Sequence, residues 1–178
     1  MKTTKKYLML LLSLALCASA HAAEPSVQAL EAMLGEWQGG GWMQIGSERS
    51  TFTGHESVRY TLGETAILVE GRHFSERDGV QVPVHTALAL IRVATQGDAP
   101  YSLHSFLSDG RDTEGWARWA DGEFQWGFSL PDNSRDIRFS IRIDGDEWTE
   151  IGETRATGKD WVQYFEMHMK RVNSNNGK

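Results

Sequence analysis

Turn signals constrain this chain more than any other feature. From residue 36 onward, runs of alternating apolar and polar residues are separated by Gly63-Glu64, Asp78-Gly79, Gln96-Gly97-Asp98, Asp109-Gly110, Asp121-Gly122, Asp144-Gly145 and Thr157-Gly158. An Asp-Gly pair tolerates the positive φ angles that a tight hairpin turn demands, and period-two alternation gives each flanking strand one apolar face. The runs predict strands over 36–46, 50–61, 65–75, 82–94, 100–107, 113–120, 123–130, 136–143, 146–155 and 160–172. Strands joined by tight turns pair with their chain neighbours in antiparallel fashion. A sheet of that size left open would expose an aggregation-prone edge. The expected fold is therefore an all-β, antiparallel up-and-down β-barrel of about ten strands, with a β-sandwich as the competing arrangement.

Ahead of the strands, Val27 to Leu34 carries apolar residues at helical spacing, followed by Gly35 as a stop. This short N-terminal helix is expected to plug or cover one end of the barrel. Residues 1–22 have a basic head (Lys2, Lys5, Lys6), an apolar run from Tyr7 to about Ala18 and two small-x-small matches ending at Ala22, the layout of a signal peptide. The run is too short to cross a bilayer. Cys17 raises a lipoprotein alternative, which Leu16 disfavours because that cleavage site wants a small residue before the cysteine.

Export to the periplasm or medium is thus expected, with a single barrel domain over 23–172 and a polar, disordered tail at 173–178. Cleavage removes the only cysteine, so no disulfide can help and a hydrophobic core must supply stability. Without the three leader lysines, 15 basic residues face 24 acidic ones, a net charge near −9. That balance argues against nucleic acid or an anionic membrane as partner, and no second segment is long enough for a membrane span. No oligomeric state follows from these residues.

The stretch WARWADGEFQWGF, residues 116–128, tests the direction of the rings. With Asp121-Gly122 as a two-residue loop, Trp119 faces Phe124, Ala117 faces Trp126 and Gly115 faces Phe128. These six share one face, small residues opposite large rings, as a confined interior requires. The other face carries Trp116, Arg118, Glu123 and Gln125. The same alternation places Ile137, Phe139, Ile141, Ile143, Trp148 and Glu150 inside, with Arg142 across from Glu147 on the outer wall. It also places Trp161, Gln163, Phe165, Met167 and Met169 inside, together with Phe52, Glu56, Val58 and Tyr60.

Signatures of chemistry are sparse. The histidines of the mature chain, His55, His73, His85, His104 and His168, show no local zinc spacing. There is no Gly-x-Ser-x-Gly elbow, and Gly39-Gly40-Gly41 lacks the Lys-Ser/Thr of a phosphate loop; it reads instead as a bend or bulge at the barrel base. His85, inside an apolar strand, reads first as a hydrogen-bonded core histidine. Inward carboxylates at Glu56 and Glu150 must be paired, protonated or functional, and Arg72 is the candidate internal partner.

The segment Leu34-Gly35-Glu36-Trp37-Gln38-Gly39-Gly40-Gly41 is similar to the Gly-x-Trp opening of lipocalin-like barrels, in which the tryptophan closes the base. With Tyr60 to Gly71, Tyr101 to Trp126 and the ending Trp161 to Val172, it resembles a bacterial domain-of-unknown-function family of exported lipocalin-like proteins. That resemblance implies a barrel of the kind that often houses small apolar ligands. A more distant likeness is to haem-binding barrels of the nitrobindin type, which ligate iron through a histidine near the chain end. His168 is the corresponding residue here, but the strand register points it outward, and Trp42-Met43 replaces the expected Tyr-Pro.

The expected function is binding of a small hydrophobic or amphipathic molecule in an aromatic-lined interior. Trp119, Trp126, Phe128, Trp148 and Phe165 would form the walls, and Glu150 and Gln163 would orient a polar end. No cofactor, metal or catalytic residue is expected on this reading. An enzyme using interior carboxylate and histidine groups is the second class, a haem-binding barrel the third, and complete filling of the interior by side chains the competing structural outcome.

Overall fold

The computed structural model describes residues 24–172; the expected leader (1–22) and tail (173–178) lie outside the described residues. Ten strands follow an opening 3₁₀ helix, Val27–Met33. They are β1 (Gly35–Ile45), β2 (Glu48–Thr61), β3 (Ala66–Arg77), β4 (Val80–Val93), β5 (Tyr101–Leu107), β6 (Asp112–Ala120), β7 (Glu123–Ser129), β8 (Arg135–Asp144), β9 (Glu147–Ala156) and β10 (Val162–Val172). Each pairs antiparallel with its chain neighbours, and β1 pairs with β10, so the sheet closes into a barrel without a free edge. The fold is the expected up-and-down barrel, and the sandwich is excluded.

The helix buries Val27, Leu30 and Met33. That strict three-residue spacing lines up on one face only at three residues per turn, which is why a 3₁₀ helix forms here. It seals one end of the barrel. Trp37, fully buried, donates its indole N–H to the Met33 carbonyl at 2.9 Å and meets Trp148 edge-to-face at 5.4 Å between ring centroids. Arg171, near the end of β10, lies 4.0 Å over the Trp37 ring. Its guanidinium donates to the carbonyl oxygens of Leu34 and Ala32 and to the Asp146 carboxylate. One side chain thus ties the helix to the last strand and to the β8–β9 turn. The Gly-x-Trp segment closes the base as its resemblance implied.

Gly39 and Gly41 sit at the β1–β10 seam. A methyl group on either would overlap a backbone oxygen of β10, His168 for the first and Glu166 for the second. Their lack of a side chain allows the closing strands to approach. The β1–β10 pairing runs without interruption, so these glycines serve close contact and not the expected bulge.

The Asp121-Gly122 hairpin has the expected register, with Trp119 opposite Phe124, Ala117 opposite Trp126 and Arg118 opposite Gln125. Asp121 and Gly122 have φ of 55° and 79°, as that loop requires. Ala117 and Phe124 are completely buried, while Arg118 and Gln125 bond one another on the outer wall.

Three expectations are corrected. Arg142 lies across from Thr149 and not Glu147, because Gly145-Asp146 and not Asp144-Gly145 forms the loop; its guanidinium pairs with Glu123 on β7. The shift keeps parity, so the inward set of β8 and β9 is unaffected. In β10 an irregularity between Gln163 and Phe165 inserts Tyr164 as an extra residue. Gln163 consequently points outward and bonds Glu166, and Trp161 lies against the guanidinium groups of Arg138 and Arg155, at 4.1 and 4.5 Å. Arg72 is exposed on the outer wall, where the neighbouring Glu70 pairs with Arg59. It has no part in the interior.

Candidate functional site

The barrel is not filled. A cavity of about 990 Å³ runs from Met33 of the helix, past Trp148 and Phe124, to the opposite end at Ile45, Val84, Arg111 and Pro131. Ile45 is 76% exposed and Val84 46%, so the cavity meets solvent at that end, away from the helix. Small residues on β4, Ala87 and Ala89, make one wall shallow and leave the space that large side chains elsewhere would take. Opposite them stands an aromatic wall. Trp126 stacks on Phe139 at 4.2 Å with planes 10° apart, Phe128 follows at 6.3 Å from Trp126, and Phe165 and Tyr164 meet the Phe139 ring edge-on.

Of the expected ligand-contacting residues, Trp126, Phe128, Trp148, Glu150 and Phe165 line this one cavity. Trp119 and Gln163 do not. Trp119 faces inward, but it lies beside the Asp121-Gly122 turn at the closed end, where it packs edge-on against Phe124 and forms part of the floor. Gln163 is outside because the Tyr164 irregularity reverses its direction, and Tyr164 takes the place by the cavity.

The polar groups converge on one region. Glu56 and His73, both buried, meet at 2.9 Å between Oε1 and Nε2. Glu56 fits because its cross-strand partners are Trp37 and Gly71. A methyl on Gly71 would stand 2.6 Å from the carboxylate. His73 packs between Phe52, stacked at 4.6 Å, and His85, whose ring is 5.3 Å away. Its Nδ1 is buried without a partner. His85 also lines the cavity. Burial first, then the nearby His73 and Arg111, lower its pKa to about 4, so the ring is neutral at pH 7.

Glu150, on β9 opposite Ile141 and Met167, is the second interior carboxylate. It accepts the Trp148 indole N–H at 3.3 Å and has no cationic partner among the described residues. Burial, and secondarily the charge of Glu56, push its pKa up to about 8; the indoles of Trp126 and Trp148 oppose the shift without cancelling it. Tyr164 is held above the usual phenol range by burial and by Glu150. The interior thus holds a carboxyl group that is largely protonated at pH 7, a neutral imidazole and a histidine–carboxylate pair, all against one apolar space.

Glu56 and Glu150 lie inside as alternation predicts. His85, expected as the buried and hydrogen-bonded histidine, is only partly buried, with no side-chain partner among the described residues. The buried histidine is His73, which like Tyr164 was not among the expected interior residues. Tyr164 stands where β10 departs from strict alternation. His73 keeps the alternation of β3, on the face of Ile67, Val69 and Gly71 and opposite the Arg72 face that was expected inside. The extra residue at this place is Val84 of β4, beside Pro83, which cannot donate to a ladder and marks the irregularity. For Tyr164 no comparable mark is present.

His168 is on the outer wall, its side chain 62% exposed, bonded to Glu166 and Thr149. A haem held inside this barrel through His168 does not fit that placement. Among the described residues no group of three or more His, Cys, Asp or Glu side chains is placed to hold a metal ion. No described helix is long and apolar enough to cross a membrane.

Compared with solved structures, the chain is similar to the crystal structure of Rv2717c from M. tuberculosis, with a TM-score of 0.61. Identity is 18%, over 84% of this chain and 98% of that one. This likeness shows the fold alone. No protein-family model and no curated protein matches the chain.

Proposed function

We propose that this barrel binds a small hydrophobic or amphipathic molecule in its interior and works as an exported carrier or receptor for it. The observation that carries the reading is the cavity of about 990 Å³, walled by aromatic rings and small residues, with a few polar groups gathered at one place. A space of several hundred cubic ångströms with mostly apolar walls and a few orienting polar groups is the usual make-up of a small-molecule site. Trp126, Phe128 and Phe165 would cover the apolar body of the ligand, and Glu150 with Tyr164 and His85 would orient its polar end. Export through the leader at 1–22 belongs to the same proposal.

The test is titration with a neutral, environment-sensitive fluorophore, N-phenyl-1-naphthylamine, followed by its emission and by quenching of the protein's tryptophans. Saturable one-to-one binding is expected, and Ala89→Phe, which fills the cavity from its shallow wall, should reduce it at least ten-fold while circular dichroism stays unchanged. Equal binding by wild type and Ala89→Phe would count against an interior site.

A second reading, acid–base catalysis, is favoured by the convergence of Glu56, His73, His85 and Glu150 on the same cavity. A neutral imidazole can accept a proton and a protonated carboxyl can donate one. The readings separate on what leaves the protein: a ligand released unchanged after long incubation supports carriage, and a converted one supports chemistry.

A further inference from the structure

Resting on the reading that the interior binds a small molecule, we infer that its ligand is an organic cation: an ammonium group, protonated or quaternary, on an apolar body, seated beside Glu150 among the surrounding rings. Most ionisable side chains at the cavity already have a polar partner or stand in water. Arg111 at the mouth is paired with Asp109 at 2.7 Å, Asp112 with His104 at 3.0 Å, and Glu56 with His73 at 2.9 Å. Glu114 lines the mouth but is largely in water, 3.8 Å from His104. Glu150 remains, 7% exposed, with an indole N–H at 3.3 Å and no cation beside it.

A buried carboxylate without a counter-charge is costly, and a bound cation removes that cost by supplying the missing partner. The remaining surroundings favour the same sign. Trp126, Trp148, Phe139, Tyr164 and Phe165 line the same space, and aromatic ring faces attract ammonium groups, more strongly where water is excluded. An anionic ligand finds the opposite. No lysine lines the cavity, its one arginine is engaged at the mouth, and two carboxyl groups lie deep inside.

Seating a cation changes the protonation of the site. Groups facing Glu150 from neighbouring strands are Glu56 on β2 and Tyr164 on β10, with His73 behind Glu56. Near pH 7 the Glu150 carboxyl keeps its proton. An ammonium beside it favours the ionised form, so binding releases that proton to solvent.

Three probes with one tail separate the outcomes: octyltrimethylammonium, n-octanol and octanoate, each titrated calorimetrically at pH 7 in two buffers of different ionisation enthalpy. The cation should bind at least ten-fold tighter than the alcohol and release close to one proton, and octanoate should bind most weakly. Glu150→Gln, nearly isosteric and free of the buried acid, should erase both the preference and the proton release, bringing the affinity for the cation down to that for n-octanol. Equal affinity for cation and alcohol, or tightest binding of octanoate, would overturn the inference and leave the small-molecule reading standing. Failure of all three probes to bind wild-type protein would overturn both.

Discussion

Glu56 and His73 form a buried pair, 2.9 Å between Oε1 and Nε2, with Gly71 opposite leaving room for the carboxylate. The pair joins β2 to β3 from inside the barrel, with both side chains buried. Removing one partner of a buried pair strands the other, at a cost of about 3–5 kcal/mol. Glu56→Ala should therefore lower the unfolding free energy by about 3 kcal/mol in urea titrations. His73→Phe in that background should recover part of the loss, because the stranded imidazole is gone; no recovery would mean that the pair is not what stabilises this wall.

Glu150 makes stability depend on pH in a fixed direction. Its folded value, about 8, lies above its ordinary value of 4.5, so between these limits the folded state keeps a proton that the unfolded state gives up. The contribution is fully present below about pH 4.5 and is lost as pH rises through about 8. Each pH unit in that window costs about 1 kcal/mol, or roughly 2–4 °C of Tm. Thermal melts of Glu150→Gln across pH 5–9 should show a flatter profile than wild type. A parallel pair of profiles would contradict the assignment.

His85 acts on the acid side. Its folded value of about 4 lies below the ordinary 6.5, so the unfolded chain binds the extra proton between those limits. Stability on this account falls as pH drops below about 6.5 and levels off below about 4. His85→Gln should flatten that limb and leave the limb above pH 7 in place. Histidine carbon shifts by NMR give the direct check, with His85 expected to titrate near pH 4.

Arg171 holds the closed end by geometry as much as by charge. Its planar guanidinium covers Trp37 and donates to Leu34, Ala32 and Asp146 at once. A lysine keeps the charge but cannot reproduce that fork. Arg171→Lys should cost about 2 kcal/mol and quicken amide exchange in the 27–33 helix before the strands of the opposite wall are affected. Uniform loss of protection around the barrel would place the role of Arg171 elsewhere.

Alternation and turn chemistry were enough to read the wall from Trp116 to Phe128, because Asp121-Gly122 admits one register and every side chain then has one direction. Glu56 and Glu150 could be placed inside by alternation alone; at Glu150 the turn is displaced to Gly145-Asp146, a change that keeps parity. Gln163 and Trp161 could not be placed, since one extra residue at Tyr164 reverses the parity of everything before it in the strand. Trp119 was inward as expected, yet it sits at the floor: alternation reports the face of a residue and says little about its depth along the barrel. The emptiness of the interior lies further still from the sequence. It depends on whether rings from different strands meet across the barrel or stack along one wall, and here Trp126 and Phe139 stack.

A ligand received in the space that these inward rings enclose must leave its own density there. Diffraction from crystals grown with saturating N-phenyl-1-naphthylamine tests it directly. The predicted result is density for one molecule between the Trp126–Phe128 wall and Ala87–Ala89. Density confined to the outer wall, or an interior closed by rearranged side chains, would contradict the account.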